Sequence, residues 1–439
     1  MPLPKVAVLC AISGLGGAEI SLLELVARLR DSYEFHLIVP GEGSFKKNAE
    51  LAGAKTWVLA WPEALAKTGE TAAHAGPMRL LRAMASVQDF TRRLSKLIAG
   101  IGPSALITNA VKAHVVGALI RRPKRVPLIW YMRDGLEDRA LSRKLLAALS
   151  WRCDLAICIS HYVAGQFRRY VSASVPANVV YNIVDLERFR PYSDRDTGTQ
   201  PSACRGCANP DFVAFDVPEY VPDFALPQFE FDKCGKMEPK KNPAEVWFGM
   251  VGAITPLKGQ DIFIEAAEKV LKRLPDAAFV IVGDNPYATE STLGYQQALL
   301  RKVEDSALRG RVKFLGYRKD VPEILARLDV LVQPNRGPEG LGRSVLEALA
   351  CGVPVIAVDK WGPAELICDG RTGLLFPPLD TDMLAARMIE LGRDRALRKK
   401  MGSRGRGWIQ ENLVPDDLAK QFAGILTKTI SPPLREAIA

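Results

Sequence analysis

Short apolar runs alternate along the chain with longer segments whose apolar positions recur every three or four residues. The first run, "KVAVLCAIS" from Lys5, is predicted to be a buried strand, and "AEISLLELVARLRD" from Ala18 has the spacing of a helix. Alternation of this kind indicates a parallel sheet that helices cover on both faces. The further strands predicted in the first half of the chain are "EFHLIVP", "AKTWVLA", "ALITNA", "PLIWYM", "LAICIS" and "ANVVYNI".

The same alternation starts again after residue 245 and predicts a second sheet. The fold class is therefore expected to be α/β, with two doubly wound, Rossmann-like parallel sheets and a crevice at the carboxyl ends of their strands. Residues 1–191, joined by a final helix at 416–439, are expected to form the first domain, and residues 246–415 the second. The strands predicted here are "VWFGMVGAI", "AAFVIVG", "RVKFLG", "LDVLVQP" and "GVPVIAV", and the helices are "GQDIFIEAAEKVLKRL", "GYQQALLRKVEDSAL", "VPEILARL" and "SVLEALA".

Residues 192–245, between the two predicted domains, show no helical period and contain many prolines. A segment of this length exceeds what an ordinary connection needs, so we interpret it as an irregular insert or linker with a role of its own. Its Cys204, Cys207 and Cys234 could supply three thiolate ligands to zinc, whereas closed structural zinc sites use four ligands, and no nearby histidine completes the set. We therefore expect no metal, with these three thiols as the alternative.

The charge of the 439-residue chain favours anionic partners, because its formal net charge is +10 and its pI is about 9.2. Nucleic acid is not expected, since the sequence contains no helix-turn-helix, zinc-finger or stacking-sheet pattern. A basic stretch from Arg121 to Arg152 is either a solvated surface or a contact with anionic membrane lipid. No apolar run is long enough to span a bilayer, and no secretory signal is recognisable. We expect a cytoplasmic protein, at the inner face of the plasma membrane if the lipid contact exists.

The sequence has eight cysteines, of which five lie outside the insert and beside apolar segments. Cysteine often behaves as a small buried hydrophobic residue, and a cytosolic chain gives no reason to pair thiols as disulfides. We therefore predict that these five side chains are buried, free thiols. They are Cys10, Cys153, Cys158, Cys351 and Cys368.

The most informative segment for chemistry is "PEGLGRSVLEALACGVP", which begins at Pro338 after a predicted strand. Its glycines form a loop, and the helix that follows has free backbone amides at its start, where a phosphate can bind. Glu347 lies about one turn inside that helix and could accept hydrogen bonds from two vicinal hydroxyls, as an acidic residue does for ribose. Glu339 precedes the glycines and could face another part of the ligand. Together these features suit a nucleotide-sugar, unless both glutamates are ordinary surface charges.

Two further strand-to-helix turns are candidate phosphate sites. In "SGLGGAE", Gly16 and Gly17 allow the backbone to approach a ligand closely at the start of a helix, although a tight turn explains the glycines equally well. In "MVGAITPLKGQD", Lys258 precedes a glycine and could neutralise a diphosphate. The alternative for Lys258 is a solvated surface lysine. Two carboxylates also suit a glycosidase, but that interpretation does not explain the glycine amides and the lysine around them.

Taken together, these segments resemble the GT-B glycosyltransferases of family four, a large retaining group that uses nucleotide-activated sugars. "PEGLGRSVLEALACGVPVIA" is similar to the family signature of two glutamates separated by seven residues, and it is the most specific match. "GGAE", "CDLAICIS", "VVYNIVDLERFRP" and "VKFLGYRKDVPEILARLDVLVQPN" follow the order and spacing of the family. The resemblance covers nearly the whole chain outside residues 192–245.

The resemblance implies a role for each matching residue. Glu347 would bind the ribose, and Glu339 would contact the donor sugar near the reacting carbon. Lys258 would bind the diphosphate and stabilise it as it leaves. The other expected donor-binding residues are Gly340, Leu341, Gly342 and Arg343 at the helix start, Gly316, Tyr317 and Arg318 beside the base, and Gly16 and Gly17 on the first domain.

Two departures from the family pattern matter for the expected chemistry. Ala253 stands five residues before the lysine, where the family commonly has an arginine, so Arg336 or Arg343 is the expected substitute. Arg133 stands where the family often has a histidine before the aspartate. The residues expected to line the cleft or the acceptor site are Arg133, Asp134 and Asn109.

The implied reaction moves a sugar, with retention at the anomeric carbon, from a UDP- or GDP-sugar to a glycan or lipid-linked acceptor in cell-surface polysaccharide synthesis. No cofactor is required by such a site, because Lys258 and helix amides would meet the negative charge of the leaving diphosphate. Two other functions remain open. A GT-B nucleotide-sugar epimerase would need further acid and base groups, and the chain has only four histidines. A non-catalytic nucleotide-sugar-binding partner is favoured by Ala253 and by the insert.

Overall fold

The structure is a computed structural model that describes residues 2–62, 77–123, 125–192, 245–285 and 290–430. The predicted insert at 192–245, with Cys204, Cys207 and Cys234, therefore lies outside the described residues apart from its two ends. The described residues form two compact units. The first unit contains those up to Ile183 and those from Asp416 onward, and the second contains those from Val184 to Pro415.

One sheet of parallel strands organises the first unit. In the described residues, its order is β3-β2-β1-β4-β5-β6-β7, for strands β1 (Lys5–Cys10), β2 (Glu34–Val39), β3 (Lys55–Val58), β4 (Ala105–Asn109), β5 (Leu128–Met132), β6 (Leu155–Cys158) and β7 (Ala177–Val179). The chain runs outward from β1 to β3 and then returns to the other side of β1 at β4. The carboxyl ends of β1 and β4 therefore flank the topological switch point, where doubly wound sheets bind their ligands. Cys10 and Asn109 are register partners at this point.

The helices of the first unit follow the strands in the alternation that the sequence predicts. In chain order they are α1 (Gly17–Leu29), α2 (Ser44–Leu51), α3 (Pro77–Ile101), α4 (Val111–Leu119), α5 (Ala140–Leu149) and α6 (His161–Tyr170). The start of α6 shows why a helix begins where it does, because the Ser160 hydroxyl accepts a hydrogen bond from the Val163 amide at 3.1 Å. Such a cap satisfies one of the amides that have no partner within the helix.

The second unit is also built on a parallel sheet. Its order is β10-β9-β8-β11-β12-β13 among the described residues, for strands β8 (Val246–Val251), β9 (Ala277–Val282), β10 (Val312–Phe314), β11 (Val330–Gln333), β12 (Val355–Val358) and β13 (Gly373–Phe376). Here the chain reverses between β8 and β11, so the loops after these two strands border the switch point. The prediction of two doubly wound parallel sheets is confirmed.

Helices of the second unit alternate with its strands, and one further helix ends the described chain. They are α7 (Gln260–Leu271), α8 (Glu290–Glu304), α9 (Val321–Arg327), α10 (Arg343–Ala350), α11 (Trp361–Glu365), α12 (Thr381–Arg393), α13 (Arg395–Asn412) and the final α14 (Pro415–Ile430). In the part of the chain that the structure describes, none of the helices combines the length and the apolar character needed to cross a membrane.

The final helix α14 packs on the first unit, although most of the second unit precedes it in the chain. The hydroxyl of Tyr33 donates to the carbonyl of Ala423 at 3.1 Å and lies 2.7 Å from the hydroxyl oxygen of Thr427. Phe422 is fully buried, with its ring centroid 5.6 Å from that of Tyr131. These contacts connect residues that are about 290 to 400 positions apart in the sequence.

Four of the five cysteines predicted to be buried are buried, and all five are free thiols. The prediction is wrong for Cys368, which is exposed. Its apolar neighbours Leu366 and Ile367 are buried at the end of α11, but the chain then turns. Within that turn, the Cys368 carbonyl accepts hydrogen bonds from the amides of Arg371 and Thr372, and the thiol remains at the surface.

Candidate active site

A cation and a carboxylate meet at the switch point of the second unit. Lys258 ends the short 3-10 turn after β8, and Glu339 lies in the loop after β11. The ammonium group of Lys258 donates to Oε2 of Glu339, and Nδ2 of Asn335 donates to the same oxygen at 3.3 Å. The side chains of Lys258 and Glu339 are 26% and 22% exposed, so a ligand can reach both. Asn335 is buried, and its hydrogen bond helps to fix the carboxylate of Glu339 in place.

Two glycines fix the backbone around this pair. Gly259 has φ +77° at the start of α7, and a Cβ there would clash with the carbonyl of Pro334 at the end of β11. This close approach brings the Lys258 turn against the β11 loop, and only glycine permits it. On the other side, the amide of Gly362 donates to the carbonyl of Glu339 at 3.0 Å. The loop that carries Glu339 is thus held by backbone contacts at a defined position.

The second glutamate lies on α10, one turn after the glycine-rich loop. Gly342 begins this helix with φ +87°, a conformation that favours glycine. Glu347 is buried, and its Oε1 accepts a hydrogen bond from Nε of Arg343 at 2.6 Å. The side chain of Ser344 is held by the amide oxygen of Gln333 at 3.0 Å. The first turn of α10 therefore combines backbone amides, a guanidinium and a carboxylate.

Arg336, an expected substitute for the arginine missing at position 253, is paired with a carboxylate. Its Nε lies 3.0 Å from Oδ2 of Asp261, and the hydroxyl of Tyr295 donates to Oδ1 of Asp261 at 2.9 Å. Burial alone would raise the pKa of Asp261, but the hydrogen bonds from Arg336 and Tyr295 outweigh it and lower that pKa. Arg343, the other candidate, pairs with Glu347. The substitution of either for the missing arginine stays a prediction.

The three residues expected beside the base follow β10 at the same carboxyl edge of the sheet. Gly316 has φ +62°, and its carbonyl accepts the amide of Gly283 at 2.8 Å. Tyr317 is exposed at 46% of its surface, although partial burial of its hydroxyl raises its pKa. Arg318 forms two hydrogen bonds of 2.7 Å with Asp320. The loop is thus hydrogen-bonded to the turn after β9, and Tyr317 is an accessible aromatic side chain on it.

The switch point of the first unit contains a second set of predicted residues. Gly16 and Gly17 are exposed at the start of α1, and the Gly16 amide donates to Oε2 of Glu19 at 3.1 Å. Glu19 is buried, and its burial raises the pKa of its carboxyl. One amide at the start of α1 is thus already hydrogen-bonded to a carboxylate.

Arg133 follows β5 directly and reaches across to the end of β4. Its Nε donates to Oδ1 of Asn109 at 2.5 Å, and its Nη1 donates to Oδ1 of Asn182 at 3.3 Å. Its guanidinium carbon lies 4.1 Å from the ring centroid of Tyr131. Arg133 is 7% exposed. Asp134, the next residue, instead forms an ion pair with an exposed arginine, Arg139, at 3.4 Å.

Sequence reasoning did not single out Asn335, Asn182 or Asp261, each of which holds a predicted site residue or its substitute. A signal was available for the two asparagines, because each follows a strand closely and the carboxyl ends of parallel strands share one edge of the sheet. For Asp261 the sequence gives no comparable signal. Its pairing with Arg336 depends on a contact between residues 75 positions apart.

Two family models match the chain, one in each half. The model described as "Glycosyltransferase Family 4" matches residues 15–188, and the model described as "Glycosyl transferases group 1" matches residues 236–408. The two matches do not overlap, and together they span both units.

Among curated proteins, one relative is the GDP-mannose-dependent alpha-(1-6)-phosphatidylinositol monomannoside mannosyltransferase of Mycolicibacterium smegmatis. It is 35% identical over 167 residues, which are 36% of this chain and 42% of that protein. The chain thus matches less than half the length of this relative. The GDP-mannose-dependent monoacylated alpha-(1-6)-phosphatidylinositol monomannoside mannosyltransferase of Corynebacterium glutamicum is 27% identical over 377 residues, 84% of this chain and 83% of that protein.

Among solved structures, the fold is similar to the crystal structure of Anabaena Alr3699/HepE in complex with UDP and glucose. The TM-score is 0.71 at 22% sequence identity, and the match covers 97% of this chain and 100% of that one. At this identity the likeness establishes the shared fold of the two chains.

Proposed function

Because this chain belongs to the GT-B glycosyltransferases of the group 1 type, we propose that it moves a sugar, with retention, from a UDP- or GDP-sugar to a glycan or lipid-linked acceptor. The reaction would serve the synthesis of cell-surface polysaccharide or glycolipid. The observation that carries this proposal is the contact of Lys258 with Glu339 at the switch point of the second unit, beside the start of α10. The first unit would bind the acceptor.

The arrangement of charges in the second unit suits a nucleotide diphosphate. Lys258 contacts Glu339 directly, and the first amides of α10 contribute the positive end of a helix dipole. Glu347 lies on α10 close to these amides, and a carboxylate is the kind of acceptor that the hydroxyls of a ribose require. Tyr317 offers an accessible ring at the base side. Each part of the nucleotide thus has a complementary group on one sheet edge.

The chemistry follows from where charge develops. The bond between the anomeric carbon and the diphosphate oxygen breaks, and the leaving diphosphate gains negative charge. Lys258 and the amides of α10 are fixed in advance and stabilise that charge in the transition state. Glu339, held by Asn335, accepts a hydrogen bond from the sugar and positions its anomeric carbon. The acceptor hydroxyl attacks on the face that the diphosphate leaves, and its proton passes to the diphosphate.

Both nucleotide classes belong in the first test. The two mannosyltransferase relatives are named as GDP-mannose-dependent, whereas the Anabaena structure contains UDP. We would measure thermal unfolding of the full chain with UDP, GDP, UDP-glucose and GDP-mannose. A ligand at a hundred times its Kd adds about 2.7 kcal/mol to stability. One of the two classes should stabilise the wild type, and Glu347→Ala should lose that stabilisation.

The matched control is Glu304→Ala, a glutamate whose side chain is 47% exposed at the end of α8. It should respond to nucleotide as the wild type does. If no nucleotide stabilises the folded wild type, the donor proposal fails. If a nucleotide-sugar binds, product analysis separates the remaining functions: a glycoside formed with an added acceptor supports the transferase, and interconverted sugar formed without acceptor indicates an epimerase. Binding without either product indicates a non-catalytic partner.

We further propose that the first unit contacts anionic membrane lipid through α5 and the turn after it. Leu141 and Leu145 lie on one face of α5 and are 72% and 42% exposed, and Trp151 is 75% exposed. Lys144, on the same face, is exposed as well. Apolar side chains flanked by cations match the interfacial region of an anionic bilayer, where tryptophan is enriched. Such a contact would place a lipid-linked acceptor near the first unit.

Co-sedimentation with vesicles of phosphatidylglycerol and phosphatidylcholine tests this contact. The wild type should bind at low salt and dissociate as salt rises, because each surface cation contributes about 1 kcal/mol and is screened. Leu141→Glu should weaken binding. Leu51→Glu is the control, since Leu51 is also well exposed, at 59%, but lies at the end of α2. Equal binding of the two variants, or none by the wild type, would argue against the contact.

A further inference from the structure

The first unit buries a cation that has no carboxylate partner. In the described part of the chain, no carboxylate oxygen lies within 4.0 Å of the guanidinium of Arg133, and its two side-chain hydrogen bonds go to the neutral amides of Asn109 and Asn182. Glu19 is close enough for the charge of Arg133 to lower its pKa, against the larger effect of burial that raises it. Arg133 is thus a buried charge without a counter-ion at direct contact.

Two adjacent N–H groups at this place also have no acceptor. Nη2 of Arg133 and Nδ2 of Asn109 are both buried, and neither has a hydrogen-bond partner in the described residues. The orientation of the Asn109 amide follows from its contact with Arg133, because a guanidinium donates and only the oxygen of Asn109 can accept. The two side chains therefore present an unused N–H each from groups that are bonded to one another.

The position of these groups is the one where the fold binds ligands. Asn109 ends β4 and is the register partner of Cys10 at the end of β1, so it lies at the switch point of the first sheet. The turn after β1 borders this point and is exposed at its glycines. A Cβ added at Gly14 would meet no atom within 4 Å, so the turn is open to solvent at this residue.

A purely structural role accounts poorly for this arrangement. Burying a charge is costly unless it is paired, and unsatisfied buried donors add to that cost. Arg122 in the same unit shows how the chain treats a structural arginine: its guanidinium bonds the carbonyls of Val126 and Arg152 and forms an ion pair with Asp154 at 2.7 Å. Arg133 differs, because among the described residues its Nη2 has no hydrogen-bond acceptor and its guanidinium has no carboxylate in direct contact.

We propose that Arg133 and Asn109 bind an anionic group, a phosphate or a carboxylate, that the acceptor substrate carries. One oxygen of such a group accepts from Nη2 of Arg133 and another from Nδ2 of Asn109, and its charge compensates the guanidinium. The identification of the ligand as the acceptor rests on the proposed function, since the donor nucleotide is assigned to the second unit. An acceptor sugar phosphate and an acidic sugar both meet this requirement.

The test measures thermal unfolding of the full chain against inorganic phosphate, sodium glucuronate, glucose and sodium chloride at constant ionic strength. Excess UDP and GDP are present throughout, so that phosphate does not report on the donor site. The wild type should gain stability with phosphate or glucuronate and gain none with glucose or chloride. The responding anion distinguishes a phosphate-bearing acceptor from a carboxylate-bearing one. Because Arg133→Gln removes a hydrogen bond from a charged donor, its apparent affinity for the anion should fall about tenfold or more.

Arg122→Gln is the matched control and should keep the anion response, because the guanidinium of Arg122 already has an ion-pair partner in Asp154. Without anion, Arg133→Gln should lose little stability, because the buried charge that it removes has no carboxylate in direct contact among the described residues, although the amide oxygens of Asn109 and Asn182 lose their donor. If it does not fold, Arg133→Lys keeps the charge and should retain a weaker response. The proposal would be overturned if the wild type did not respond to either anion, or if Arg133→Gln responded as strongly as the wild type. It would also be overturned if neither Arg133 variant folded. The stabilisation by nucleotide, which Glu347→Ala should abolish, is measured separately. Failure of the donor proposal can therefore be told apart from failure of the anion-site proposal.

Discussion

Each carboxylate that the donor nucleotide would meet is paired with a cation in this structure. Lys258 contacts Glu339, and Arg343 contacts Glu347. A bound diphosphate has to compete with Glu339 for the ammonium group of Lys258. In the proposed reaction the pair would therefore lower nucleotide affinity, while the same carboxylate would hold the sugar. Binding and turnover should respond in opposite directions when Glu339 loses its charge.

We predict that Glu339→Gln binds the nucleoside diphosphate more tightly and transfers sugar more slowly. A partly exposed ion pair contributes up to about 1 kcal/mol, so the affinity should rise about two- to fivefold. Loss of a hydrogen bond to a charged group should lower turnover about ten- to hundredfold. Calorimetric titration and a transfer assay measure the two effects. Glu304→Gln makes the same charge change at an exposed site and should alter neither. Weaker nucleotide binding by Glu339→Gln would show that the pair does not compete.

His114 is one residue that makes the stability of the first unit depend on pH. His114 is buried on α4, with its Nδ1 2.7 Å from the hydroxyl oxygen of Thr108, and burial lowers its pKa to about 3. An unfolded chain has a histidine pKa near 6.5, so it takes up a proton that the folded chain excludes. The stabilisation is complete above pH 6.5 and is lost as the pH falls toward 3, by about 1.4 kcal/mol per pH unit.

We predict that His114→Gln flattens this dependence. Its free energy of unfolding should decline less steeply than that of the wild type between pH 6.5 and 4. The difference between the two slopes should correspond to about one proton taken up on unfolding. Urea unfolding at several pH values gives the two slopes. His161→Gln, at an exposed histidine, should keep the wild-type slope. Parallel curves for the wild type and His114→Gln would mean that the buried histidine is not what makes the first unit sensitive to acid.

At the scale of elements, the apolar pattern predicts the strands well and several helices poorly. All seven strands of the first sheet and five of the second lie within predicted runs. Most of them are buried on both faces and are therefore continuous apolar segments, whereas the edge strands β3 and β7 are exposed or half-buried. β13 was missed, since its four residues follow a glycine turn. α4 was missed because apolar residues surround its buried histidine and obscure the period. α13 was missed for the opposite reason, as basic residues and glycines dominate it.

The candidate site divides in the same way. Residues that belong to the glutamate signature and to the turns after strands could be predicted from sequence, because local order determines where they lie. Contacts that join distant loops could not, and the pairs of Lys258 with Glu339 and Arg336 with Asp261 each join residues more than 70 positions apart. Sequence spacing also cannot show that Arg133 bonds Asn109. Such pairings depend on strand order, which the pattern alone leaves open.

The turn that begins α7 provides a test at this scale. Gly259→Ala would introduce a Cβ at φ +77° against the carbonyl of Pro334. A left-handed conformation and a backbone clash both raise the free energy of the folded state, so we predict a loss of more than about 1 kcal/mol of stability. Because the β11 loop would shift, nucleotide binding should weaken as well.

The control is the same substitution in the middle of a helix. Gly294 lies within α8, where a Cβ would meet no atom within 4 Å. Gly294→Ala should therefore stabilise the chain by about 0.5–1 kcal/mol, since alanine is favoured in helices. Denaturant unfolding of both variants checks the opposite signs. A destabilisation of Gly259→Ala no larger than that of an exposed substitution would indicate that the turn can relax away from β11.

At the scale of the molecule, one architecture is used twice, and both switch points carry a basic residue close to an amide side chain. In the second unit Lys258 and Asn335 share Glu339, and in the first Arg133 contacts Asn109. The difference is that the second unit supplies its own carboxylate and the first does not. Under the two proposals the units would take ligands of different kinds, although six strands of each sheet follow the same order.

The first unit is completed by a helix from the end of the described chain, and this gives the last prediction. Phe422 on α14 is fully buried against the first unit, so Phe422→Ala should cost about 3–5 kcal/mol there. For a unit of this size, that loss corresponds to a decrease of roughly 6–20 °C in Tm. The unit without a substitution should keep its own transition, which nucleotide identifies by shifting it upward. Lys420→Ala, at a mostly exposed position of the same helix, should change neither transition. A decrease confined to the nucleotide-sensitive transition would contradict the assignment of α14 to the first unit, where the ring of Phe422 packs against Tyr131.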